Sequence, residues 1–111
     1  MNVPLEQNKK LTVIYRLEPG CLGPQGPDHI NDFCSFAQEK VQSVHSDMII
    51  WKILPRNDKS LPEIEYKLNN KKLSREKAGR FLIIFDREIE VFEESFHEKI
   101  AELIETYFEQ K

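Results

Sequence analysis

The sequence predicts an α+β domain, or a small α/β one, in the order β-α-β-β-α-α: a three-stranded mixed sheet packed by helices and finished by a C-terminal amphipathic helix. Three observations carry that reading. The run Leu11 to Leu17 is rich in β-branched and aromatic residues and stops at Pro19-Gly20, as a strand entering a loop does. Glu63-Ile64-Glu65-Tyr66-Lys67-Leu68 alternates charged and apolar residues, the pattern of a strand with one wet face. From Arg87 onward Ile89, Phe92, Phe96, Ile100, Leu103 and Tyr107 keep a helical period.

The remaining elements follow in chain order. Met1 to Lys10 is polar apart from Val3, Pro4 and Leu5, and reads as a flexible lead-in or an edge extension to a single domain over residues 11–111. Glu18 to Pro27 holds three prolines and three of the chain's 4 glycines, so it continues neither strand nor helix. Asp28 is then the expected N-cap of a helix whose buried face is Ile30, Phe33, Cys34, Ala37, Val41 and Val44, ending near His45. Met48 to Leu54 is apolar on both faces except for Lys52, which predicts an interior strand. Pro55 to Pro62 reads as a polar loop and Asn69-Asn70 as a tight turn.

Ser74 is the expected N-cap of a second helix carrying Ala78, Phe81, Leu82 and Phe85. A five-residue apolar run does not decide between states by periodicity, and Phe81 to Phe85 also reads as a fourth, buried strand. The outer face of the last helix carries Glu88, Glu90, Glu93, Glu94, Glu98, Glu102, Glu105 and Glu109, a solvated charge run that would also attract a basic partner.

Composition narrows the classes of function. With 40% hydrophobic residues, seven Phe, three Tyr and one Trp, the 111-residue chain has the material for one core. A net charge of −3 disfavours nucleic acid and anionic lipid surfaces. No stretch is apolar enough to span a bilayer, and Met1 to Lys10 lacks the apolar run of a secretory signal. Cys21 and Cys34 fit neither a disulfide scaffold nor a zinc site, so a reducing, cytoplasmic setting is the expectation. His29, His45 and His97 have no metal-ligand spacing, no serine sits in a nucleophile elbow, and nothing calls for a metal or cofactor.

If the first helix crosses over between two strands of one sheet, those strands are parallel and the loops after them leave the same edge, where ligands of open α/β sheets bind. The first loop offers Cys21, the backbone N–H groups of Gly20, Gly23 and Gly26, and His29 at the helix start; the second offers Arg56, Asp58 and Lys59. Together they suit a small anion. Against this, G-x-x-G-x-x-G is neither a dinucleotide fingerprint nor a phosphate loop, and three prolines describe a rigid connector. Val13-Ile14-Tyr15 through Pro19-Gly20-Cys21 resembles a glutaredoxin-type strand and loop, and the resemblance implies a redox-active thiol at Cys21. The sequence departs from that pattern at Pro24, where a second cysteine would stand, and has no later Thr-Val-Pro-like segment.

The expectation is therefore a non-enzymatic binding or interaction domain, meeting a protein partner or a second copy through its C-terminal helix or an exposed strand edge. Phe92, Phe96, Tyr107 and Phe108 exceed what one narrow helical stripe needs and point to such a contact. The alternative is a small anion-binding domain or a thiol-dependent enzyme built on loops 18–29 and 55–62.

Overall fold

A computed structural model describes residues 6–110. It contains strands β1 (Leu11–Leu17), β2 (Ile49–Pro55), β3 (Ile64–Leu68) and β4 (Lys71–Leu73), and helices α1 (Gly26–Val41), α2 (Arg75–Ile84) and α3 (Ile89–Glu109). The sheet order is β2-β1-β3-β4, with β1 parallel to β2 and antiparallel to β3, and β3 antiparallel to β4. This is a mixed sheet of the α+β class, and its parallel pair is the one joined through α1. Residues 1–5 of the expected lead-in lie outside the described residues; Gln7–Lys9 forms one exposed 3-10 turn.

Side chains alternate across β1, so Leu11, Val13, Tyr15 and Leu17 share one face. The register sets Val13 beside Trp51 and Tyr66, and Tyr15 beside Ile53 and Ile64. All three helices bury against this face: Phe33, Ala37 and Val41 of α1, Ala78 and Leu82 of α2, and Phe92, Phe96, Ile100 and Leu103 of α3 join the strands in one cluster. Each large apolar side chain removed from water there contributes roughly 1.5–3 kcal/mol. No described helix buries residues on the opposite face, which presents Ile14, Arg16, Lys52, Leu54, Glu65 and Lys67. Glu65 is buried on that face and compensated by Arg16 at 3.1 Å and Lys67 at 3.9 Å.

Two polar contacts tie the helices down. Tyr66 of β3 donates to Glu93 of α3, which Arg75 of α2 also grips at 3.0 Å. Tyr107 near the end of α3 donates to Asp32 of α1 at 2.7 Å.

The structure corrects the sequence reading at five places. The sheet has four strands, not three. Asn69 (φ 51°) and Asn70 (φ 64°) both take the left-handed conformation of a two-residue hairpin turn, and Lys71–Leu73 returns along β3. β2 is an edge strand, not an interior one, because β1 alone of the described strands pairs with it, and its face bearing Lys52 and Leu54 is covered by no described helix. Met48 belongs to the turn before β2 and is buried in the core. α1 begins at Gly26 with Gln25 as N-cap, since Pro27 suits the first turn of a helix and Asp28 adds favourable charge there. It ends at Val41, and residues 42–48 form turns in which His45 has φ 50°. Elsewhere the expected second helix holds: residues 81–84 are helical, and the alternative fourth strand over Phe81 to Phe85 does not form. The Ser74 hydroxyl caps α2 by accepting from the Lys77 N–H, and Ile83 and Ile84 point largely outward.

Candidate functional site

A concavity lies where α1 ends, β2 starts and α3 begins. It has a volume of about 600 Å³, within the range of small-molecule sites. Its floor is aromatic. Trp51 stacks on Phe92 (centroids 5.6 Å, 10°) and on Phe96 (4.4 Å, 15°), while its indole N–H donates to the Val44 carbonyl at 2.7 Å. That bond ties β2 to the segment leaving α1 and meets the polar requirement of a buried indole. Val41 and Val44 form one wall. Val91, Ser95 and Lys99, spaced four apart on α3, form the other, and Asp86 to Glu88 closes one end.

The rim holds two backbone outliers. Among the described residues four non-glycine positions have positive φ; Asn69 and Asn70 serve the hairpin, and His45 (φ 50°) and Asp86 (φ 60°) both line this cavity. Non-glycine residues held in that conformation cluster at functional sites. Burial lowers the His45 pKa, the Arg87 charge lowers it further, and Asp47 opposes both, so the imidazole facing the cavity favours its neutral form. Arg87, Asp86, Glu88 and Lys99 make no ion pair within the described structure, and their charges cancel.

The carboxyl edge is arranged differently. The loops after β1 and β2 do leave the sheet side by side, joined by Glu18 and Arg56 at 2.7 Å. Arg56 directs its other donors at the carbonyls of Lys59 and Leu61, so its guanidinium braces its own loop. Asp58 accepts from the Ser60 N–H and hydroxyl, and these bonds hold its carboxyl below its usual pKa. Lys59 is exposed. Gly26 packs so closely under Pro19 that a Cβ would lie 1.7 Å from the Pro19 oxygen, and Gly23 has φ 92°. Two of the three glycines thus serve the path of the connector. His29 packs its ring against Tyr107 and Phe108 of α3. Cys21 is exposed on the short turn Pro19–Leu22, whereas Cys34 is buried in the core and its thiol is pushed up to about 11 by that burial.

Sequence reasoning missed the cavity because its residues carry no motif. Trp51, Phe92 and Phe96 read as core, which they are. Phe92, Phe96 and Tyr107 are covered by this chain's own strands and helices, so their number no longer calls for a second subunit, and Phe108 alone of the four stays partly exposed. Among the described residues no helix is long and apolar enough to cross a membrane, and no cluster of His, Cys, Asp and Glu could hold a metal ion. Comparison with models of known families, with curated proteins and with solved structures gives no match to this chain.

Proposed function

We propose that this chain is a non-enzymatic binding domain and that the cavity between α1, β2 and α3 takes a small, largely apolar ligand. The observation that carries this reading is the cavity itself: an aromatic floor, an aliphatic wall of Val41 and Val44, and a rim where His45 and Ser95 stand among charged residues of both signs. The cancelling charges at the rim favour an uncharged or zwitterionic ligand over an anion. The neutral state of His45 leaves one ring nitrogen to accept and one to donate a hydrogen bond. The rival reading, an anion or thiol site on loops 18–29 and 55–62, has less support, since Arg56 and Asp58 are committed to loop contacts.

The chain's single Trp sits at the cavity floor and reports on occupancy. Titration with the neutral probe N-phenyl-1-naphthylamine is expected to quench Trp51 emission saturably. Ser95→Phe, placed on an exposed wall, fills the cavity and abolishes the quenching while thermal unfolding stays unchanged. A probe that binds Ser95→Phe as well as the parent, or does not quench Trp51 up to its solubility limit, refutes the assignment.

A further inference from the structure

The outer edge of β2 carries an unusual contact. Gln38 of α1 places its side-chain amide against the strand, donating to the Trp51 carbonyl at 2.8 Å and accepting from the Ile53 N–H at 2.8 Å. That is the pair of bonds a neighbouring strand's peptide would make, one donor and one acceptor to residues two apart.

The rest of the edge follows the same logic. Residues of β2 alternate in the side to which their peptide groups point. Met48 and Arg56 bond to the β1 ends at Leu11 and Leu17, so the even-numbered residues face β1 and Ile49, Trp51, Ile53 and Pro55 face outward. The Ile49 N–H is taken by the His45 carbonyl at 2.9 Å, and Pro55 has no N–H to offer. Trp51 and Ile53 are what remains for pairing, and Gln38 takes one outward group of each, the Trp51 carbonyl and the Ile53 N–H. The opposite edge is blunted separately: β4 is three residues long and carries Lys71 and Lys72. Short strands, lysines and prolines are the usual means by which sheet edges avoid pairing with other chains.

We infer that Gln38 is an edge guard, its carboxamide standing in for a strand's peptide group and preventing β2 from pairing with the β2 of a second copy. The feature is independent of the cavity reading, because Gln38 approaches the strand from the side of α1 that faces the edge. A second copy is the relevant partner because a twofold axis beside β2 brings the same two residues of each chain together, antiparallel and self-complementary.

The test uses Gln38→Ala, which favours the helix, and Gln38→Asn, which keeps the amide but shortens its reach. Two readouts are followed: mass by light scattering up to about 300 μM, and amide exchange at Ile53 in dilute protein, where opening of the edge is separable from association. The guard predicts a monomeric parent with a protected Ile53 amide. Both variants should exchange that amide at least about tenfold faster when dilute and double in mass when concentrated. Unchanged protection at Ile53 in both variants, variants that stay monomeric throughout, or a parent already paired through β2, each overturns the inference.

Discussion

The two ends of the parallel strand pair differ in what their residues have left to give. At the carboxyl edge, side chains with the richest chemical vocabulary, Arg56, Asp58 and Glu18, are bonded to one another or to nearby backbone. At the other end, plain apolar and aromatic residues leave an open cavity with uncommitted polar groups at its rim. A residue type suggests what a side chain is able to do; only its partners decide whether it is available. Here the motif-like loops serve as scaffold, and the concavity arises where helix ends fail to meet.

That contrast is open to attack, first where the effect is largest. Phe96→Ala removes a side chain stacked on Trp51 and in edge contact with Tyr15, and is expected to cost about 3–5 kcal/mol in denaturant unfolding. A loss below about 1 kcal/mol would mean the cavity floor is a loose surface and not core. Gly26→Ala should cost about 3 kcal/mol, because a Cβ there meets the Pro19 carbonyl and forces the connector to move. Were loop 18–29 a mobile binding loop, the same substitution would be nearly neutral, and thermal unfolding distinguishes the two.

Some of this was legible in the sequence and some was not, for definable reasons. β1, the face of α3 and the Ser74 cap follow from local pattern and appear as expected. The parallel pairing of β1 and β2 follows from one crossover helix. β4 escaped because three residues with two lysines carry no alternating signal, although the Asn-Asn turn before it did. The edge position of β2 depends on β3 pairing with the far side of β1 and no described strand pairing with the outer side of β2, a property of the whole chain and not of Met48 to Leu54. The roles of Gly26 and Gln38 depend on approach distances between segments, which no spacing encodes. Cys21, Lys59 and His29 were singled out for their place after a strand or at a helix start, yet nothing in their identity revealed that His29 would lie against Tyr107 and Phe108.

Smaller effects sharpen the same contrast. Arg56→Ala should lose about 1 kcal/mol, the worth of a half-exposed ion pair plus loop hydrogen bonds, read from the urea midpoint. A stability unchanged by that substitution would restore Arg56 as a group held in reserve for a ligand. The smallest effect concerns His45. Its folded pKa lies below the ordinary 6.5, so its neutral form is favoured by folding; the contribution is complete above that value and is lost as pH falls through the folded pKa. His45→Asn keeps a residue that tolerates positive φ and should flatten this part of the stability profile as pH falls below about 6.5. An identical acid limb in both proteins would assign it to the carboxylates instead.

The bare side of the sheet has a consequence for how the molecule meets other charged bodies. Arg16, Lys52, Lys67 and Lys72 lie on that side, while Glu90, Glu94, Glu98, Glu102 and Glu105 lie along the helical layer. The protein is therefore an electric dipole directed from the helical layer to the bare side of the sheet. In dilute buffer this dipole would rotate the whole molecule during an encounter. At physiological ionic strength, where fields decay over about 8 Å, the two sides no longer sense each other and each greets its surroundings as a separately charged plate.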